Sequence, residues 1–238
     1  MNSNKRVAIN AMATYGRTLL RMVLGLFSSR WVLQSLGEVD YGLMGVVGLL
    51  IVLITFLNTV ITGACSRFFA FSIGKNDPDD LIRWFHLVLG AALAAVGLPF
   101  GTWAIDNFLN IPPERVHTAH CVFFFSLAST FWSICSTPYR AMYTATQNIA
   151  EFTLWEVASI LLNFGFVYWL TTYEGDAWLV YSAFTVSINI LFIFGQIYRA
   201  RMIFAGCRIR FGYWNDKPRL RQMLSFSVWS LFGSAGYM

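Results

Sequence analysis

Apolar residues along this chain fall into six long blocks with short polar stretches between them. They lie at roughly 10–33, 41–64, 84–105, 117–137, 152–172 and 177–198, and a seventh opens near Met223. Each block is about the length that a helix needs to cross a bilayer, roughly 20 residues, so the pattern predicts an all-α, polytopic membrane protein. The expected organisation is a six-helix bundle over 1–198, a basic linker over 199–222 and the start of a seventh helix over 223–238. That last block offers about 16 residues where a span takes roughly 20, and it reads as a truncated helix; a short re-entrant or tilted terminal helix is the alternative. The longest connection runs from Arg199 to Gln222, so the loops leave no room for an extramembrane catalytic domain. Ala11-Met12-Ala13 mimics a signal-peptidase site, but Val7–Asn10 is too short for the apolar region of a signal peptide, and the first helix is expected to be retained.

Composition agrees. Of 238 residues, 57% are hydrophobic and only 12% charged, against roughly a quarter charged in an average soluble domain. The formal charge of +5 raises nucleic acid as a partner, and the placement of the basic residues decides against it. With the N-terminus inside, the cytoplasmic segments hold Lys5, Arg6, Arg67, Lys75, Arg83, Arg140, Arg199, Arg201 and the basic residues of the 199–222 linker, whereas the outer loops hold only Arg115. Those outer loops carry Glu38, Asp40, Asp106, Glu114, Glu174 and Asp176. This is the asymmetry that fixes a membrane protein with its N-terminus in the cytoplasm, and the linker is expected to rest on anionic lipid headgroups. The four cysteines, Cys65, Cys121, Cys135 and Cys207, form no CxxC pair and imply no disulfide framework.

Polar residues inside such helices matter by where they point. At 100° per residue, Asn10, Thr14, Arg17, Arg21 and Ser28 of the first helix share a face about 60° wide. The other seams are Thr55, Asn58 and Thr62 in the second helix and Ser126, Ser129, Thr130, Ser133 and Thr137 in the fourth. The fifth adds Thr153, Glu156 and Asn163, and the sixth Ser182, Thr185, Asn189 and Gln196. Five seams together predict a hydrated central cavity; hydroxyls bonded to their own helix, or gluing helices to each other, are the structural alternative. Arg17 and Arg21 are the sharpest feature, because a guanidinium stays charged and its burial demands water, an acid or an anionic ligand. Glu156 is the one acid well inside a span, able to pair with one arginine but not to neutralise both. A planar fork of donors suits phosphate or carboxylate. Arg30 lies on the opposite side and is expected to snorkel.

Several segments in order resemble the polysaccharide (O-antigen type) flippases of the MATE-like exporter superfamily. They are Ser28-Ser29-Arg30-Trp31-Val32-Leu33-Gln34-Ser35-Leu36-Gly37, then Asp40-Tyr41-Gly42, Ser66-Arg67-Phe68-Phe69-Ala70-Phe71 with Gly74-Lys75, Pro138-Tyr139-Arg140-Ala141 leading into Glu151–Leu162, and Ser225-Phe226-Ser227 with Leu231-Phe232-Gly233. The resemblance implies two six-helix halves around a cavity, of which this chain is the first. It implies that undecaprenyl-diphosphate-linked oligosaccharide is moved by alternating access from the cytoplasmic to the outer leaflet of a bacterial inner membrane, for O-antigen or lipopolysaccharide synthesis. It further implies a basic cavity, with Arg21, Arg30 and Arg67 at positions where the family has a basic residue. The expected substrate-binding set is Arg17, Arg21, Arg67, Asn58, Glu156 and Asn189, with no catalytic residue, metal or cofactor, and with membrane lipids and a second six-helix half as partners.

Two rivals differ in what they require. A cation or drug antiporter needs a carboxylate in the cavity, whereas the first helix has three arginines and no acid. An integral-membrane enzyme acting on lipid-linked sugars needs acid, base or metal groups at the interface. The best candidate for those is His117-x-x-His120 with Cys121 and Glu114, which is more simply a helix start at the outer surface. Asp77-Pro78-Asp79-Asp80 suits a helix cap, and Gly74-Lys75 lacks the Ser or Thr and the glycine-rich loop of a phosphate-binding ATPase motif. Gly42, Gly45 and Gly48 are expected to permit close helix packing, and Pro99 to kink the third helix.

Overall fold

The computed structural model describes the backbone of residues 3–74, 80–146 and 148–203, and the side chains of 8–52, 86–140, 142–144, 146 and 148–203. Every element among them is helical: α1 (Ser3–Gly74), α2 (Asp80–Asn107), a 3₁₀ turn (Pro113–Arg115), α3 (Val116–Ala145), α4 (Ile149–Leu170) and α5 (Ala177–Ile203). The five α-helices are each long and apolar enough to cross a membrane. Leu19, Met22, Leu49, Val96, Leu154 and Leu191 on their outer faces are each about two-thirds exposed. A fully buried leucine contributes about 1.5–3 kcal/mol in water, so a surface of this kind belongs in hydrocarbon. The segments expected beyond Ile203, including most of the basic linker and the seventh helix, lie outside the described residues, as does most of the Asp77–Asp80 cap.

The first two expected helices are joined. In place of a loop over 34–40, α1 runs 72 residues with one non-helical position, Gly37, at φ 77° and ψ 172°. Only glycine reaches that backbone region without strain. Around this elbow the directions of the other helices follow from their contacts. Asn10 with Ala150, Arg17 with Glu156 and Trp31 with Phe164 advance together, so the first arm of α1 and α4 are parallel. Thr118 with Asp176, Ser129 with Asn189 and Tyr143 with Gln196 make α3 and α5 parallel. Asp106 with His120, Gly101 with Phe123 and Gly90 with Phe131 run in opposite senses, so α2 and α3 are antiparallel. Glu151 with Arg199 and Trp155 with Phe192 do the same for α4 and α5. Because α2 therefore begins at the end where α1 starts, and the six peptide links from Gly74 to Asp80 reach at most about 20 Å, the second arm of α1 turns back at Gly37.

α3 lies centrally, and the core gathers at the elbow end: Val32, Leu36, Leu43 and Val47 of α1, Ile105 of α2, Val122 and Phe123 of α3, Phe166 and Leu170 of α4, and Trp178 of α5. Among the described residues, a Cβ at Gly42, Gly45 or Gly48 would meet nothing within 4 Å, whereas at Gly101 it would fall on the buried Phe123 ring and at Gly195 within 2.9 Å of Trp155. Pro99 and Pro138 sit inside continuous helices. The elbow end is also pinned by charge, with Arg115 Nη2 2.9 Å from Asp40 Oδ2 and Arg115 Nη1 3.4 Å from Asp176 Oδ2.

Candidate functional site: arginines around Glu156

Glu156 lies about two turns into α4. Its Oε2 accepts from Arg17 Nη1 of α1, and its Oε1 lies 3.0 Å from Arg140 Nη2 of α3. One carboxylate thus joins three helices. The Arg140 guanidinium also stands over the Phe152 ring, 5.0 Å from its centroid, where the ring quadrupole favours a cation. The side chains of Arg17 and Glu156 keep 23% and 20% of their surface, and Arg140 keeps 41%. The group is lodged among helices without being sealed.

Arg21, one turn beyond Arg17 on the same face, is exposed and has no ion-pair partner among the described residues. Its charge and that of Arg17 both bear on Arg140. Three guanidinium groups therefore stand against one carboxylate. Guanidinium stays protonated, so the surplus cannot be removed by titration; a bidentate anion is the ligand that such forks match.

Arg140 is the member that the sequence reading placed outside the helices. The expected fourth helix stopped before Pro138, but α3 continues through it to Ala145, as membrane helices can when neighbours satisfy the freed carbonyl. The signal was present: Ser133, Thr137 and Arg140 continue the three-and-four spacing of the same seam.

The other expected site residues are not gathered here. Asn189 Nδ2 donates to Ser129 Oγ at 2.8 Å and ties α5 to α3, eleven positions along α3 from Arg140 and so about 16 Å away. Asn58 and Arg67 belong to the second arm of α1, and their side chains lie outside the described residues. Much of the hydroxyl pattern is spent locally: Thr14 donates to the Asn10 carbonyl, Thr130 to Ser126, Thr137 to Ser133 and Thr153 to Ile149. Those bonds follow the structural alternative of self-satisfied helices. Arg30 is exposed, and His120 Nε2 lies 2.8 Å from Asp106 Oδ1.

Toward the chain's starting end a second layer supports the cluster. Arg199 Nε donates to Glu151 Oε1 at 2.6 Å, Asn148 Nδ2 donates to Glu151 Oε2 at 2.7 Å, and the Ala150 N–H donates to Asn10 Oδ1 at 3.2 Å. α4 is thereby held in register with α1 and α5, which fixes the height of Glu156 against Arg17.

Comparison with protein-family models, with curated proteins and with solved structures returned no match.

Proposed function

We propose that this chain is the first half of a flippase that moves an undecaprenyl-diphosphate-linked oligosaccharide across a bacterial inner membrane by alternating access. In this reading α1 crosses twice, its arms meeting at Gly37, to give six spans with the N-terminus in the cytoplasm; a second six-helix half completes the cavity. The observation that carries it is the surplus of guanidinium groups at Glu156, with Arg21 beside it lacking an ion-pair partner among the described residues. A diphosphate diester bears two negative charges, which is the net charge that three arginines and one glutamate leave over. Arg17, Arg21 and Arg140 are the groups that would engage it, and Glu156 spaces two of them. A cationic drug would meet repulsion at the same place, which disfavours the antiporter reading.

The test is complementation by the full-length gene in a strain lacking it, with surface polysaccharide and drug resistance both measured. Loss of one charge-assisted hydrogen-bonding group costs about 1.5–3 kcal/mol, so Arg21→Ala should lower export about tenfold or more and leave drug resistance unchanged. Normal export by a normally inserted Arg21→Ala protein would remove the diphosphate role.

A further inference from the structure

At the elbow end two carboxylates share one cation. Arg115 of the 3₁₀ turn reaches Asp40 of α1 at 2.9 Å and Asp176, just before α5, at 3.4 Å. Asp176 is well supplied otherwise, since Thr118 Oγ1 donates to its Oδ2 at 2.9 Å and the Leu179 N–H to its Oδ1 at 3.2 Å. Asp40 is not. Its side chain retains 7% of its surface, and its Oδ1 is buried with no hydrogen-bond partner among the described residues. An ionised carboxylate oxygen in that position is costly, and the single positive charge beside it is divided.

The other groups at this end offer no relief. α3 presents the neutral Thr118, and its His120 is paired with Asp106 of α2; α4 contributes the apolar Phe166, Val167 and Leu170 to the core here. Glu38, Glu114 and Glu174 are exposed and would add only negative potential. A metal ion is the poorer occupant, because a guanidinium sits in the site and no group of three His, Cys, Asp or Glu suited to a metal occurs among the described residues.

We propose that Asp40 is a proton-binding site: with the elbow packed against the 3₁₀ turn and α5, its carboxylate takes one proton from the bulk, leaving Arg115 paired with Asp176 alone. The only bond formed is O–H, and the triad becomes neutral. A conformation that parts the elbow from α5 wets Asp40 and returns the proton to that side of the membrane. This makes opening of the elbow end sensitive to the pH on that side, and it holds whatever cargo the arginines take.

The experiment is thermal unfolding of the purified full-length protein in lipid nanodiscs, wild type against Asp40→Asn, between about pH 5 and about pH 8. The folded state keeps a proton that the unfolded chain releases above about pH 4. The stability it confers is therefore complete below that value and is lost as pH rises through the folded site's own value. Asp40→Asn carries a permanently neutral group, so the difference between wild type and variant should grow with pH, wild type becoming lower by about 3 °C or more at the alkaline end. Parallel curves, or an Asp40→Asn protein less stable at every pH, would overturn the proposal. If that variant does not insert, the infrared band of protonated carboxyl groups serves instead. It should fade with rising pH in wild type, and at lower pH in Asp176→Asn, where Arg115 serves Asp40 alone; a band unmoved by Asp176→Asn would equally overturn it.

Discussion

Glu156 has two guanidinium partners from different helices, and each partner is partly open to its surroundings. The carboxylate therefore does for stability what an anionic cargo would do in function: it keeps Arg17 and Arg140 close despite their repulsion. Glu156→Gln removes the charge while keeping the shape. Breaking a fully buried pair costs about 3–5 kcal/mol, and the exposure here reduces that, so a loss of about 1–3 kcal/mol is expected, read as a lower midpoint in a thermal unfolding scan. Adding Arg140→Gln to Glu156→Gln should recover part of it, because one of the two stranded cations is then gone; a double variant no more stable than the single would show that the repulsion is unimportant. Arg21 should respond differently. It is exposed without an ion-pair partner among the described residues, so its removal should leave the unfolding midpoint near wild type, which separates a ligand group from a structural one.

Among the elements, α1 shows most plainly how a single backbone position sets architecture. Gly37 has φ of +77° and nothing within 4 Å of where a Cβ would stand, as Gly45 also has free space but ordinary helical backbone. Substitution by alanine should thus act with opposite sign at the two sites. Gly37→Ala forces a side chain into a region used almost only by glycine, at about 1–3 kcal/mol, whereas Gly45→Ala gains the helix preference of alanine, up to about 1 kcal/mol. Unfolding midpoints of the two variants, one down and one unchanged or up, check this. Among the described residues the sequence pattern located apolar helical stretches, because hydropathy over about 20 residues reports the demand of a bilayer directly, while the count of six and a seventh is not reproduced by the five long helices. The pattern misjudged one end, since Pro138 looks like a break in water-soluble terms, while neighbouring helices can satisfy the backbone in a membrane bundle, and at 34–40 it expected a loop where a single glycine makes the turn. Because of the break expected at Pro138, Arg140 was read as a cytoplasmic residue and left out of the expected binding set, although its spacing from Thr137 was legible. The pairing of Arg17 with Glu156 was foreseen as possible from charge alone; that Arg140 shares the same carboxylate depends on the register of α3 against α4, which no local pattern encodes.

For the whole molecule the two ends of the bundle differ in the charges they gather. Asp40, Asp106, Arg115 and Asp176 meet at the elbow end, while Arg140, Glu151, Arg199 and Arg201 lie toward the other. Lysine and arginine are retained on the cytoplasmic side during insertion, so the elbow end should face outward and α4 should cross between the two surfaces. Exposed Thr144, in the last turn of α3 that leads into α4, and exposed Glu174, just after α4, bracket that helix. In a full-length protein whose native cysteines are replaced by alanine, Glu174→Cys should react with a membrane-impermeant maleimide on spheroplasts, and Thr144→Cys only after the membrane is permeabilised. The reverse pattern would invert the orientation, placing the proton site of Asp40 on the cytoplasmic side. Reaction of both from outside would mean that α4 does not span. Because both positions flank one short helix, the result does not depend on how many times α1 crosses, and it tests the frame in which the arginine cluster and the elbow face opposite compartments.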